Sequence, residues 1–245
     1  MTYIRTSFVG KKELAEKLWL FEFHLEEPQE FSFKAGQYMT LVLGEIRQSY
    51  TIVSSESMKD SFLIFVRILR GDLGSSFLTS LDINATAYFL EPDGKFILNE
   101  KNKNKSKVFM AENLGVVPIK SQLASFVEKF GRELGTELLL FWGLETNENI
   151  YFLEDIKNLA RAYPNFNFWL CLERQGSFLG LDPDHCKRGK IESVFTEFAK
   201  EKHYGTSQLN SFEYYLCGAK ESMITLNDFL LGLGVNKENI VRNDF

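Results

Sequence analysis

The apolar pattern of this 245-residue chain changes character near residue 100, and that change limits the folds open to it. Upstream, short runs rich in β-branched and aromatic residues recur at 38–43, 50–53, 62–68 and 87–90, with turn residues between them. Runs of this length and composition predict the strands of a small all-β barrel or sandwich. Downstream, strand-like runs alternate with helical patterns: 108–111 before 118–130, 138–142 before 153–161, 166–172 before 191–201, and 214–217 before 221–233, with 239–241 closing the series. Such alternation predicts βαβ units and a doubly wound parallel sheet. Residues 98–107 are polar throughout and read as an exposed connection. The expected architecture is an N-terminal antiparallel β-barrel over 1–100, followed by a doubly wound parallel-sheet nucleotide-binding domain over 107–245.

Composition narrows the partners. Lys plus Arg number 28 against 33 Asp plus Glu, a formal charge of −5, which argues against nucleic acid because phosphate neutralisation needs a basic face. Three scattered cysteines (Cys171, Cys186, Cys217) and three histidines provide neither a disulfide framework nor a zinc cluster. Residues 1–12 lack the apolar core of a secretory signal, and no run approaches the roughly 18–20 apolar residues of a spanning helix. A cytoplasmic protein with no membrane or nucleic-acid partner, monomeric or weakly dimeric, is expected.

Several short segments combine residue types that bear chemistry, and each also has a plain structural reading. Tyr50, twelve residues after Tyr38, is by itself an ordinary strand aromatic. Gly71, Gly74, Ser75 and Ser76 precede an apolar pattern at Phe77, Leu78 and Leu81. A glycine-rich turn entering a helix presents free N–H groups and hydroxyls that suit a phosphate, and equally describes a helix capped by Ser75. The stretch from Ala111 to Pro118 reads as a strand-to-helix turn with proline at the first helical position. Cys217 reads as a buried structural thiol, and Lys187, Arg188 and Lys190 as a solvated charge run.

Five segments occur in a telling order: Phe33-Lys34-Ala35-Gly36-Gln37-Tyr38-Met39, Gln48-Ser49-Tyr50-Thr51-Ile52-Val53-Ser54-Ser55, Arg70-Gly71-Asp72-Leu73-Gly74-Ser75-Ser76-Phe77-Leu78, Glu91-Pro92-Asp93-Gly94-Lys95-Phe96, and Leu216-Cys217-Gly218-Ala219 with Met223. Together they resemble the ferredoxin–NADP reductase-like flavoprotein family over residues 4–245. The resemblance implies FAD rather than FMN in the barrel, with NADP or NAD as substrate. It places the ring of Tyr50 on the isoalloxazine and the Thr51 hydroxyl near N5, with Val66 and Ile68 also in the flavin site and Gly74, Ser75 and Ser76 on the phosphates. The family's phosphate-binding arginine, two residues before the tyrosine, is here Gln48. Arg47 is adjacent, but strand alternation puts it on the other face unless a bulge re-aims it.

In the second half the family carries its nucleotide pyrophosphate on a run of glycines and a threonine ending in proline. Gly115 and Pro118 match that run, while Glu112, Asn113 and Leu114 replace the rest. A Cβ there hinders close backbone approach, and a carboxylate repels phosphate. The resemblance also implies Arg174 at the adenosine phosphate (with Glu173 where relatives often have serine), Cys217 and Gly218 against the nicotinamide, and Phe245 over the flavin. The implied catalytic set is therefore Tyr50, Thr51, Cys217 and Phe245; Asn243 stands where an acid is expected, so no proton transfer is assigned. The implied activity is a flavin-dependent oxidoreductase passing electrons between NAD(P)H and a ferredoxin, flavodoxin or small acceptor, by hydride transfer to flavin N5. The altered 112–114 loop leaves open a flavin-binding electron-transfer or assembly subunit with a degenerate nucleotide site. Gln48 together with that loop leaves open a fold that binds neither cofactor. Four closely spaced cysteines are absent, so no iron–sulfur domain is encoded in this sequence.

Overall fold

A computed structural model describes residues 3–130, 135–146, 150–174 and 181–244. The chain divides into two units, one of Met1–Leu98 with Lys120–Ser125 and the other of Asn99–Ile119 with Phe126–Phe245.

In the first unit six strands form one antiparallel sheet: β1 (Tyr3–Ala15), β2 (Leu18–Glu27), β3 (Tyr38–Leu43), β4 (Ile46–Thr51), β5 (Ser61–Arg67) and β6 (Thr86–Asp93), in the order β4-β3-β6-β1-β2-β5. Its two edges meet where Ile52 bridges Ile64 and the Val53 N–H donates to the Leu63 carbonyl at 2.8 Å, which closes the barrel. Phenylalanines from several strands fill the inside: Phe89 meets Phe23 and Phe62 edge-on, with ring centroids 5.0 and 5.2 Å away. This arrangement favours aromatic pairs beyond the area they bury. A short helix, α1 (Leu73–Ser80), lies between β5 and β6 in the chain. Residues 120–125 join this unit through three hydrogen bonds. Ser121 Oγ donates to the Ser54 carbonyl at 2.8 Å, Gln122 Nε2 to the Phe96 carbonyl at 2.7 Å, and the Glu56 N–H to Ser125 Oγ at 3.1 Å.

The second unit carries a parallel sheet of β7 (Lys107–Glu112), β8 (Leu138–Leu144), β9 (Phe166–Leu172), β10 (Cys186–Arg188), β11 (Glu213–Gly218) and β12 (Ile240–Asp244), ordered β10-β9-β8-β7-β11-β12. Every residue of β8 and β11 is buried, as expected of strands covered on both faces. The crossovers are the helices α2 (Val116–Phe130), α3 (Leu153–Ala162), α4 (Ile191–Glu201) and α6 (Lys220–Gly232), with a single turn, α5 (Thr206–Leu209), before β11. The strand order reverses between β7 and β11, the position where doubly wound sheets open a crevice at their carboxyl ends. Among the described residues no helix is long and apolar enough to cross a membrane.

Two local expectations need correction. Residues 99–104 are exposed as the polar composition predicts, but Lys107 is fully buried at the start of β7. Its ammonium donates to the carbonyls of Asn102 (3.0 Å) and Lys105 (2.7 Å) and lies 3.5 Å from the Glu213 carboxylate. The buried cation is tolerated because each of its donors has an acceptor. The helix after β7 also begins two residues before Pro118, which sits third in α2, still inside the first turn where no backbone donor is required.

Candidate functional site

The barrel unit gathers its polar site at the entry to α1. Asp72 is the N-cap: its backbone is extended and its carboxylate accepts the Ser75 N–H at 2.8 Å. The cap expected at Ser75 is thus supplied three residues earlier, because a carboxylate at Asp72 reaches the third N–H of the helix directly. Ser75 is buried inside the first turn, while Ser76 is exposed and donates its hydroxyl to the Asp72 carbonyl at 2.6 Å. Burial draws the Asp72 carboxyl upward, but hydrogen bonds from Ser75, the Gln48 side chain and the Gly74 backbone outweigh it and hold the group below its ordinary value.

β4 pairs with β3 without a register shift, so Gln48 and Tyr50 share one face and Arg47 the other. The Gln48 and Tyr50 side chains reach α1 so closely that a Cβ on Gly74 would collide with both Gln48 Oε1 and Tyr50 Oη. Arg47 turns back on its own hairpin, donating to the carbonyls of Gly44 (2.7 Å) and Ile46 (2.8 Å). Tyr50 is buried with the barrel core, and its hydroxyl has no hydrogen-bond partner among the described residues. Burial, with the Asp72 charge adding to it, pushes that hydroxyl's pKa up, so it stays a neutral donor. Thr51 is half-buried at the end of β4; Val66 is fully buried in the barrel core, and Ile68 packs against it.

The second unit assembles its site at the carboxyl ends of β7 and β11. After Glu112, a single 3₁₀ turn, Asn113–Gly115, runs directly into α2. Asn113 takes φ +48°, the left-handed region that asparagine tolerates better than most residues, and its carbonyl accepts Trp142 Nε1–H at 2.9 Å. Gly115 passes so close to β11 that a Cβ would collide with the Cys217 carbonyl. Cys217 is fully buried, accepts a long hydrogen bond from Asn243 Nδ2 (3.7 Å), and burial pushes its thiol up to about 12. Gly218, next to Cys217, and Pro118, three residues after Gly115, are also buried.

Glu112 is the residue whose setting the sequence did not reveal. Its side chain lies over two glycines: a Cβ on Gly218 would come within 2.6 Å of Glu112 Cβ, and one on Gly143 within 3.1 Å of its Oε1. Ser222 donates to its carboxylate at 3.3 Å. Burial is the main cause that raises the Glu112 carboxyl above its ordinary value, with Glu173 and Glu192 adding to it against Ser222 and Lys190. Glu112, Lys190, Glu192, Glu221 and Ser222 line a cavity of about 160 Å³. The glycines at the ends of β8 and β11 were the visible signal for a side chain packed across them.

Arg174 lies just past β9, largely exposed and ion-paired with Glu145. Phe245, expected over a flavin, lies outside the described residues.

Residues 6–97 match the family model described as oxidoreductase FAD-binding domain, and residues 114–228 the one described as oxidoreductase NAD-binding domain. Ferredoxin–NADP reductase B of Sorangium cellulosum is 26% identical over 224 residues, covering 89% of this chain and 87% of that protein. The CDP-6-deoxy-L-threo-D-glycero-4-hexulose-3-dehydrase reductase of Yersinia pestis is 24% identical over 229 residues, 91% of this chain but only 64% of that protein. Among solved structures, the cytochrome P450 reductase GcoB of Amycolatopsis superposes with a TM-score of 0.78 at 18% identity, over 100% of this chain and 70% of that one, a likeness of fold.

Proposed function

Because the chain belongs to the ferredoxin–NADP reductase-like family of flavoprotein oxidoreductases, we propose that it is a cytoplasmic reductase that draws electrons from NADH or NADPH through FAD and delivers them to a ferredoxin, a flavodoxin or a small acceptor. FAD, when bound, supplies the redox chemistry by accepting hydride from the nicotinamide and releasing electrons singly or as a pair. The chain's own residues bind and orient.

The observation that carries the reading is the buried Tyr50 hydroxyl at the entry to α1, which has no hydrogen-bond partner among the described residues. Leaving a buried donor unpaired costs about 1–3 kcal/mol, and a flavin nucleotide lying along this turn offers the missing acceptor. Gly74 leaves room for the Gln48 and Tyr50 side chains, and the Ser75 and Ser76 hydroxyls and the Gln48 amide become the neutral donors for its phosphates by giving up their present bonds to Asp72. Arg47 is held by the hairpin carbonyls, so this turn binds phosphate without a guanidinium and with less charge-assisted strength than a bidentate arginine gives. In the second unit Gly115 and Pro118 form the turn for the nicotinamide nucleotide, Cys217 and Gly218 flank its ring, and Arg174 meets the adenosine end by exchanging Glu145 for phosphate.

An anaerobic absorbance titration of the FAD-reconstituted protein, first with NADPH and then with NADH, tests this. Bleaching of the bound flavin by either nucleotide is the expected result and names the donor. The acidic cavity beside Glu112 favours one second reading, an electron-transfer subunit reduced by another protein. A bound flavin that dithionite reduces and neither nucleotide does would replace the first reading with that one.

A further inference from the structure

Glu112 ends the strand at which the sheet order reverses, and the turn after it leads into α2. In doubly wound sheets an anionic ligand settles at this point, against the N-terminus of the first helix. Here the approach is lined by the carboxylates of Glu112, Glu192 and Glu221, with the Lys190 ammonium as the only cation among the cavity's lining residues. The turn is well defined: Asn113 supplies a left-handed backbone, Trp142 donates to its carbonyl, and Gly115 allows the close approach to Cys217. The turn thus follows directly on a strand-end carboxyl group, which lies over Gly143 and Gly218 at the carboxyl ends of β8 and β11.

Resting on the reading of this unit as a nicotinamide-nucleotide site, we infer that Glu112 makes nucleotide binding proton-linked: the pyrophosphate is accepted beside the neutral Glu112 acid and opposed by its carboxylate. The charged and titratable groups around Glu112 come from several elements, and on β11 the neighbouring Cys217 is a buried thiol raised by burial. Ser222 of α6 donates one hydrogen bond, and Glu221 of the same helix adds negative charge to the cavity. From α4 and its cap come Glu192, which opposes ionisation, and Lys190, which favours it. Glu173, just past β9, opposes ionisation too, and Cys171 within β9 is a buried thiol held neutral. Burial and two carboxylates thus outweigh one hydroxyl and one exposed lysine, which raises the carboxyl above its ordinary value before any ligand arrives. A pyrophosphate adds a further anion and draws a proton from solvent onto Glu112, which is what couples its affinity to pH.

The test is calorimetric titration of the oxidised, FAD-loaded full chain with NAD+ and with NADP+ in turn. Wild type and E112Q are compared from pH 6 to 8, each in two buffers of different ionisation heat. The proton of a 2′-phosphate cancels between the two proteins, and the flavin spectrum confirms that E112Q is folded. The expected result is net proton uptake in wild type, with affinity weakening by up to about tenfold per pH unit above the Glu112 titration. E112Q loses that excess uptake and binds at least several-fold more tightly than wild type at pH 8. Equal uptake and equal pH dependence in the two proteins, or no binding by either at pH 6, overturns the inference. Flavin reduction with an affinity that E112Q leaves unchanged sinks this inference while the reductase reading stands. Proton-linked binding without flavin reduction does the reverse.

Discussion

Asp72 and Glu112 each put a carboxyl group beside a turn that leads into a helix, one in the barrel unit and one in the sheet unit, and their surroundings push them in opposite directions. Asp72 accepts hydrogen bonds from Ser75, Gln48 and Gly74, which overcome its partial burial and keep it ionised. Glu112 has one donor, Ser222, at 3.3 Å, and faces Glu173 and Glu192, so burial prevails and its carboxyl is raised above its ordinary value. The number of donors aimed at a carboxylate, more than the kind of acid, decides whether it is a fixed charge or a group that titrates in response to a ligand. In the barrel the charge is fixed because it caps a helix. In the sheet it is left free to respond.

The glycines of the two turns separate the regions most sharply. A Cβ on Gly115 meets backbone, the Cys217 carbonyl, whereas one on Gly74 meets only the ends of the Gln48 and Tyr50 side chains. Backbone cannot rotate away, so Gly115→Ala is expected to cost about 3 kcal/mol in urea unfolding. Gly74→Ala gains up to about 1 kcal/mol of helix propensity, which offsets its steric cost and leaves stability nearly unchanged. Its effect should fall on the flavin, with affinity lowered by about tenfold as Tyr50 and Gln48 are displaced. Equal stability losses at the two glycines would erase the contrast between a rigid and an adaptable turn.

Tyr50→Phe probes the barrel turn alone. Removing a buried hydroxyl that has no partner among the described residues should stabilise the flavin-free protein by about 1 kcal/mol, read as a higher denaturant midpoint. The same change should weaken FAD binding by about tenfold, equivalent to about 1.4 kcal/mol. A loss of stability in the flavin-free protein would mean that the hydroxyl is satisfied by the protein itself, and the case for a flavin acceptor at this turn would fail.

Much of this was legible in the sequence, and the exceptions share a cause. Strand-length runs before residue 100 and alternating runs after it correspond to the barrel and the parallel sheet because burial on one face or two leaves a local period. The facing of Gln48 and Arg47 followed from strand alternation once β4 paired with β3 without a shift. The long β1–β2 hairpin was harder to see. Its buried positions, Ile4, Thr6 and Phe8 with Phe21, Phe23 and Leu25, do alternate, but exposed Lys11, Lys12 and Glu13 mask the pattern. Lys107 reads as the end of a solvated tract because its burial depends on Glu213, far along the chain. Glu112 and Ser222 are likewise 110 residues apart, and no local pattern reports a hydrogen bond over that separation. Polar composition cannot distinguish a solvated charge from a buried one whose partners arrive with the fold.

The finest expected effect is the one that ties both turns together, the dependence of stability on pH. The Asp72 carboxyl lies below its unfolded value of 3.8, so its contribution is present above that pH and is lost as pH falls through the folded value. The Glu112 carboxyl lies above its unfolded value of 4.5, so its contribution is complete below that pH and is lost as pH rises through the folded value. Urea unfolding from pH 3 to pH 8 on wild type, D72N and E112Q isolates each group, since neither variant removes volume. The stability difference between wild type and D72N should grow with rising pH through the most acidic points and then level. That between wild type and E112Q should shrink with rising pH over the range where Glu112 ionises. Slopes of the same sign would show that the two carboxyls are not shifted in opposite directions, whereas opposite slopes measured without any ligand would trace the response of Glu112 to the fold itself.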